Sequence, residues 1–219
     1  MRNIIIIDDH PLTISAYKSL LTQEFENNIC VHTAHNGNEV IQKVSALAAN
    51  QEKICLAIVD YSIPPSDDGT IKNGTDVAAL IKKHFKNCML VFLTMHNEPL
   101  LLHNLHLKFS PQGIISKNDI DADSFAGIIK SISEGKIYRS DTMIESLSII
   151  MNKKINFDEI DSQILLLLSK KVKSKDLPKY IELSQSAIEK RKYKIKEQLL
   201  GEKGTDKELV AVAKAYNLI

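Results

Sequence analysis

Five short apolar runs separated by helical patterns dominate the first 134 residues of this 219-residue chain. The stretches between the runs place apolar residues three and four positions apart, which is the spacing of a helix with one buried face. Strand alternating with helix five times predicts an α/β domain, a doubly wound five-stranded parallel sheet with helices on both faces. The predicted strands contain Ile4–Ile7, Ile29–Ala34, Leu56–Val59, Met89–Leu93 and Gly113–Ile115.

The last third of the chain has a different pattern, with four successive helical stretches and no strand signal. Good helix starts precede three of these stretches, so we expect a small all-α domain. The candidate N-caps are Ser174, Ser184 and Thr205. The predicted organisation is residues 1–134 for the α/β domain, 135–154 for a linker and 155–219 for the helical domain.

Charge is distributed unevenly between these parts. Residues 1–134 carry 11 Lys and Arg against 15 Asp and Glu, whereas residues 170–196 carry 10 against 3. An acidic N-terminal part and a locally basic C-terminal part indicate two different functions. No apolar run approaches the roughly 20 residues of a membrane span.

Cysteine usage and the first residues indicate a cytoplasmic protein. Cys30, Cys55 and Cys88 are odd in number and widely spaced. That spacing suits a reducing compartment and fits neither a disulfide framework nor a zinc motif. Residues 1–3 lead directly into a predicted strand, so we expect no signal peptide.

Polar side chains follow four of the predicted strands at the point where each strand ends. Asp8 and Asp9 follow the first strand, and Asp60, Thr94 and Lys117 follow later ones. Ligand sites of such sheets lie outside the carboxyl ends of the strands, so we expect these side chains to converge. Three carboxylates repel one another unless they share a cation, and oxygen ligands suit Mg²⁺. An Asp in such a site can act as a nucleophile toward phosphorus.

This constellation resembles the receiver domain of bacterial two-component response regulators, through Asp8-Asp9, Asp60-x-x-x-Pro64, Thr94 and Lys117. The resemblance implies a flavodoxin-like strand order of 2-1-3-4-5. It also implies that Asp60 accepts a phosphoryl group from a histidine kinase. Lys117 and Thr94 would then contact the phosphoryl oxygens. The implied Mg²⁺ ligands are Asp9, Asp60 and the backbone carbonyl of Ser62, with Asp8 acting through water.

One departure from the receiver pattern lies beside this site. Gly74 follows Asp60 by fourteen residues, about twice the usual spacing, so the segment between them is longer than in most receivers. Its Pro, Ser, Asp and Gly content predicts a mobile surface insertion with little to bury. A contact with a partner is the alternative interpretation of this segment.

The helical domain contains a helix-turn-helix pattern, with Lys175–Ile181 as its first helix and Gln185–Leu199 as its second. Ile188, Ile195 and Leu199 form an inward stripe on the second helix, and basic residues cover much of the remainder. A basic second helix is suited to the major groove of DNA. A solvated lysine-rich helix is the alternative explanation.

The domain also resembles the LuxR/NarL-type helix-turn-helix of response regulators, through Leu183-Ser184-x-Ser186-Ala187-Ile188 and Ile195…Leu199. By this resemblance two sets of contacts with double-stranded DNA are expected. The base contacts would be Glu189, Lys190 and Tyr193, and the phosphate contacts would be Lys175, Ser186 and Lys194. Glu189 stands where lysine is common, which would alter base preference or weaken binding.

The resulting interpretation is a response regulator that catalyses only its own phosphorylation and dephosphorylation and regulates transcription. Phosphorylation would favour a form that dimerises or frees the DNA-binding surface. Two alternatives remain: a receiver whose helical domain binds protein instead of DNA, and a free-standing phosphatase with an Asp nucleophile. The first strand has no Asp-x-Asp pair, which argues against the phosphatase.

Overall fold

The predicted alternation of strands and helices is present in the structure. A computed structural model describes residues 2–152, 155–201 and 204–219, so the last two residues of the predicted linker lie outside the described residues. The described strands are β1 (Arg2–Ile7), β2 (Ile29–Ala34), β3 (Ile54–Asp60), β4 (Met89–Thr94), β5 (Gly113–Ser116) and β6 (Tyr138–Arg139). None of the helices in the described part of the chain is both long and apolar enough to cross a membrane.

The helices fall between and after these strands. They are α1 (Pro11–Glu24), α2 (Gly37–Ala49), α3 (Gly74–His84), α4 (Pro99–Phe109), α5 (Ala122–Ser133), α6 (Asp141–Asn152), α7 (Glu159–Ser169), α8 (Gln185–Leu200) and α9 (Asp206–Ala215), with one 3₁₀ helix at Ser174–Lys179. The chain folds as two compact units. One extends to His96 and includes Leu105–Met143, and the other combines Asn97–Asn104 with Ile144–Ile219.

The sheet of the first unit has the strand order β2-β1-β3-β4-β5-β6, with every neighbouring pair parallel. The order 2-1-3-4-5 is therefore confirmed. β1 lies between β2 and β3, and Ile4–Ile7 are at most 1% exposed, as expected for a strand covered on both faces. Because all the strands are parallel, their carboxyl ends lie at the same edge of the sheet.

The prediction of five strands was wrong by one among the described residues. β6 extends the sheet beyond β5, with Tyr138 opposite Gly113 and Arg139 opposite Ile114. The Arg139 guanidinium donates to the carbonyls of Pro111 and Gln112, which ties the short strand to the end of the preceding segment. Two residues are too few for any hydrophobic period, so this strand leaves no signal in the sequence.

The segment between Asp60 and Gly74 is packed, and the expectation that it has little to bury was wrong. Ile71 is 1% exposed and Ser66 is 5% exposed. The Ser66 amide donates to the Ile71 carbonyl at 2.8 Å, and the Ser66 hydroxyl accepts from the Ile71 amide at 2.9 Å. The Pro64 carbonyl accepts from the amide of Gly37 at the start of α2. The insertion is therefore a folded part of the α/β unit.

The helical unit has an apolar core supplied mainly by α7, the 3₁₀ helix, α8 and α9, together with residues of the segment before α7. Its most buried members include Phe157, Ile164, Leu177, Ile188 and Leu209. The helix starts predicted at Ser184 and Thr205 are confirmed, because Ser184 accepts from Ala187 and Thr205 forms a capping box with Glu208.

The first helix of the predicted helix-turn-helix differs from expectation. It is a 3₁₀ helix with Lys173 at its N-cap, so Ser174 lies inside the helix and its hydroxyl is used elsewhere. Pro178 lies within this helix and has no N–H to donate, which is incompatible with a regular α-helical hydrogen-bond ladder. A 3₁₀ helix of six residues accommodates the proline.

Candidate functional site

The predicted site residues lie together at the carboxyl edge of the sheet. Asp8 and Asp9 follow β1, Asp60 and Thr94 end β3 and β4, and Lys117 follows β5. These strands are neighbours in the order β1-β3-β4-β5, so their ends bring the side chains to one place. Asp8 is 1% exposed, Asp60 5% and Thr94 0%, whereas ionised carboxylates are rarely buried without partners.

Lys117 is the partner of both buried carboxylates. Its Nζ lies 2.7 Å from Asp8 Oδ2 and 2.7 Å from Asp60 Oδ2. Burial of this ammonium lowers its pKa, but hydrogen bonds and charge from Asp60 and Asp8 outweigh burial and raise the pKa above its ordinary value. The lysine therefore stays charged at neutral pH and holds the two carboxylates in place.

Asp9 and His10 occupy the solvent side of the same cluster. His10 Nδ1 lies 2.6 Å from Asp9 Oδ1 and 3.3 Å from Asp8 Oδ1, and the His10 side chain is 68% exposed. The ligand atoms of Asp8, Asp9, His10 and Asp60 all lie within 4.8 Å of one another. A cation bound to Asp9 would compete with His10 for this carboxylate, and the exposed imidazole has room to move aside.

The loops after β3 and β4 are tied together beside Asp60. Asp60 Oδ1 accepts from the Ser62 amide at 3.1 Å, and Ser62 Oγ lies 2.9 Å from His96 Nε2. The Thr94 hydroxyl accepts from the His96 amide at 3.0 Å. The Tyr61 ring also packs edge-on against the His96 imidazole. Asp60 and Thr94 thus lie at the ends of neighbouring strands, and His96 contacts residues of both ends.

The sequence interpretation gave no role in this site to His10, His96 or Tyr17. His10 directly follows the acidic pair in the sequence, and this position could have indicated a place in the site. For His96 and Tyr17 the sequence offers only that they lie shortly after Thr94 and Asp8. Burial raises the pKa of Tyr17; the charge of Lys117 lowers it, and Asp8 and Asp60 raise it further. Tyr17 therefore borders the carboxylates while its ring stacks on Phe125 at 4.0 Å.

The donor set fits a hard divalent cation. Three carboxylates converge here and Lys117 pairs with two of them, which leaves an excess of negative charge at one point. All the carboxylate ligands are oxygens, as Mg²⁺ prefers, and part of the Asp9 carboxylate is open to water that such an ion retains.

The residues predicted to meet DNA lie on the surface of the helical unit. Exposed positions on α8 and on the 3₁₀ helix include Lys175, Ser186, Glu189, Lys190, Tyr193 and Lys194. Tyr193 is 57% exposed, so its ring is accessible on this surface. Ile188, Ile195 and Leu199 are buried on the opposite face, so the predicted inward stripe is confirmed.

Comparison with known families decides how the carboxylate site is classified. A family model for the response regulator receiver domain matches residues 4–130. The chain belongs to the response regulator receiver family. The matched region thus includes strands β1 to β5. The residues at or just after the ends of these strands include Asp8, Asp9, Asp60, Thr94 and Lys117.

Curated relatives of the chain are transcription regulators. It is 28% identical over 151 residues to the transcriptional regulatory protein RcsB of Salmonella typhi, covering 69% of this chain and 63% of that protein. It is 27% identical to RcsB of Escherichia coli K12 over segments of the same coverage. The match therefore spans less than two thirds of the length of these relatives.

Solved structures extend the likeness to the whole chain. RcsB from Salmonella enterica serovar Typhimurium, bound to promoter rprA with the phosphomimetic BeF3⁻, has a TM-score of 0.64 at 21% identity. It covers 97% of this chain and 98% of that one. A structure of two RcsB dimers bound to two parallel DNAs has a TM-score of 0.60 at 22% identity and covers 98% of both chains. At these identities the comparison shows a shared fold.

Proposed function

We propose that this protein is a two-component response regulator that is phosphorylated on Asp60 by a histidine kinase and regulates transcription by binding DNA. The observation that carries the proposal is the Lys117 ammonium, held 2.7 Å from both Asp60 and Asp8 at the carboxyl edge of the sheet. In the proposed reaction Asp60 would be the nucleophile, and the adjacent Lys117 would be the cation for the phosphoryl group.

The proposed transfer needs only positioning and charge from the chain. An Asp60 carboxylate oxygen attacks phosphorus, and the phosphorus–nitrogen bond of the kinase's phosphohistidine breaks with its electron pair staying on nitrogen. The Lys117 ammonium, which pairs with the Asp60 carboxylate before transfer, would pair with a phosphoryl oxygen after it. The Thr94 hydroxyl would donate a hydrogen bond to a second phosphoryl oxygen. When bound, Mg²⁺ would supply further positive charge there. Its ligands would be Asp9, Asp60 and the Ser62 carbonyl, with Asp8 acting through water.

We propose that phosphorylation and dephosphorylation of Asp60 are the only reactions that the protein catalyses. The proposed domains are residues 1–134 for the receiver, 135–154 for the linker and 155–219 for the helix-turn-helix. Dimerisation on phosphorylation is part of the proposal, and the DNA-bound dimers of RcsB support the dimer itself. A DNA partner and three unpaired cysteines both favour the cytoplasm of a bacterium.

Magnesium binding should depend on Asp9 more than on Thr94. Asp9→Asn should weaken Mg²⁺ binding about tenfold or more, because it removes a charged ligand, while Thr94→Ala should change it little. Isothermal titration of the unphosphorylated protein measures both. Glu134→Gln is the control, since it removes the same charge beside Arg2, at the amino end of β1. Equal losses for Asp9→Asn and Glu134→Gln would show a general charge effect and no ligand role.

The DNA-binding part of the proposal rests on the exposed basic surface of α8 and the 3₁₀ helix. Phosphates would be met by Lys175, Ser186 and Lys194, and bases by Lys190 and Tyr193, with Glu189 beside them. Phosphate contacts fix the position of the protein on the duplex, whereas contacts with base edges select the sequence. Selection from random double-stranded DNA, with and without acetyl phosphate, tests this directly.

Substitutions of Lys194 and Lys190 should weaken DNA binding in different ways. Lys194→Ala should weaken binding to selected and random DNA alike and lower the salt slope by about one unit. Lys190→Ala should cost about 1–3 kcal/mol on the selected site and relax the preference at one position. Fluorescence anisotropy over a range of salt concentrations measures both changes.

A protein-binding helical unit is the second candidate function, and the acidic Glu189 in the basic surface favours it. In that case no DNA sequence is enriched by the phosphorylated protein. Charge changes at 190 and 194 would then leave its DNA affinity unaltered, and the DNA-binding proposal would be withdrawn.

A further inference from the structure

A buried lysine lies in the middle of α8. Lys192 is 4% exposed, on the face of the helix that also carries Ile188 and Ile195. An ammonium removed from water is strongly destabilising unless charged and hydrogen-bonding groups surround it. The contacts of Lys192 therefore show which groups this position requires.

Lys192 contacts three elements of the helical unit. Its Nζ donates to Ser174 Oγ at 2.6 Å, lies 3.2 Å from Glu189 Oε2, and lies 2.8 Å from Asp206 Oδ2. An ammonium has three donors, and here three side chains are available to accept them. Because Ser174 belongs to the 3₁₀ helix and Asp206 to α9, one buried charge connects both helices to α8.

Glu189 is held from several sides by the same group of residues. Its Oε1 accepts from Ser174 Oγ at 2.7 Å and from Gln185 Nε2 at 3.0 Å, in addition to Lys192 at 3.3 Å. Burial raises its pKa, but hydrogen bonds from Ser174 and Lys192 outweigh burial, so the pKa is lowered and the carboxylate is charged. A base amino group would have to compete for oxygens that already have donors within the domain.

The contact between Ser174 and Glu189 connects two parts of the proposed DNA surface. Ser174 precedes Lys175, a proposed phosphate contact, and Glu189 precedes Lys190, a proposed base contact. Both lysines are exposed. Their neighbours Ser174 and Glu189 are hydrogen-bonded to each other, and Ser174 also accepts from the buried Lys192. The network therefore connects the two segments that carry these proposed DNA contacts.

We propose that Glu189 and Lys192 are positioning residues that hold the 3₁₀ helix against α8, so that Lys175 and Lys190 meet the same DNA site. In this role Glu189 selects no base itself. The inference rests on the proposed DNA binding and assigns Glu189 a different part in it from the base contact that the sequence predicted.

The test uses the full chain phosphorylated with acetyl phosphate, well below its melting temperature. Sequence selection is repeated with Glu189→Gln and Ser174→Ala, and dissociation constants are measured on the wild-type consensus. Glu197→Gln is the control, because it removes the same charge from an exposed position of α8. We expect both variants to select the wild-type consensus with about tenfold weaker affinity, and the control to bind as wild type does.

A double-mutant cycle separates positioning from base contact. Glu189→Gln and Lys192→Met act on one network, so the double variant should bind about as weakly as either single variant. Glu189→Gln combined with Lys190→Ala should also lose less than the sum of the two single losses, because Glu189 acts through Lys190, whereas an independent base contact by Glu189 would give additive losses. If Lys192→Met does not fold, Ser174→Ala takes its place in the cycle.

Three results would overturn the inference. A Glu189→Gln variant that changes the preferred base at one position would make Glu189 a base contact. Unchanged affinity in folded Glu189→Gln and Ser174→Ala would make the network purely structural. A wild-type protein that binds neither selected nor random DNA would overturn the proposed function as well, whereas the first two results leave it standing.

Discussion

Replacing Asp60 with asparagine should abolish covalent phosphorylation and leave the fold intact. Incubation with acetyl phosphate and Mg²⁺ should add one acid-stable, base-labile phosphoryl group to the wild type and none to Asp60→Asn. An amide is not a nucleophile toward phosphorus at neutral pH, and Asp60 is the carboxylate that the resemblance to receivers selects. Intact-protein mass spectrometry measures the modification.

The fold should survive this substitution because Lys117 keeps a second partner. Its Nζ also lies 2.7 Å from Asp8, so the ammonium is not left unpaired. Removing one of three clustered carboxylates also relieves repulsion, which offsets part of the lost ion pair. Thermal unfolding of Asp60→Asn should therefore remain cooperative.

The control for the phosphorylation experiment is Asp67→Asn, an exposed carboxylate in the segment that follows Asp60. It should be labelled as fully as wild type. Full labelling of Asp60→Asn would instead move the acceptor to Asp8 or Asp9. Phosphopeptide mapping would then identify the residue, and the assigned chemistry of the site would have to change.

The sheet and the carboxylate cluster could be predicted from the sequence because both depend on local signals. Buried parallel strands are continuous apolar runs, and Ile4–Ile7 is such a run. The polar residue at the end of each run then lies at the carboxyl edge of the sheet, independently of the conformation of the loops. Asp60 and Lys117 are 57 residues apart in sequence, yet the strand order alone brings them together.

Other features depend on pairing between distant segments and have no local signal. Two residues of β6 acquire their conformation by pairing with β5. Ile71 is buried in a segment whose composition predicts an exposed loop. The network of Ser174, Glu189 and Lys192 joins residues that a helical periodicity treats as separate surface positions. In each case tertiary contacts override the composition of the segment.

Substituting Gly74 should be among the most damaging single changes in the receiver. A Cβ at this position would lie 2.4 Å from the Asp60 carbonyl oxygen and 2.7 Å from the Tyr61 Cα. Both neighbours are backbone atoms, and the Gly74 amide donates to the Tyr61 carbonyl at 2.8 Å. The start of α3 therefore cannot accept a methyl group unless the end of β3, which carries Asp60, is displaced.

Gly74→Ala should accordingly lower the free energy of unfolding by about 1–3 kcal/mol or more and slow phosphorylation by acetyl phosphate. Gly127→Ala is the matched control, because a Cβ at that position in α5 would meet nothing within 4 Å apart from its chain neighbours and the backbone of its own helix. Alanine is the better helix former, so Gly127→Ala should raise the free energy of unfolding by about 0.5–1 kcal/mol and leave labelling unchanged. Denaturant unfolding measures the stability of both variants, and their labelling rates are compared. A Gly74→Ala protein with wild-type stability and labelling would show that β3 and α3 are not in contact at Asp60.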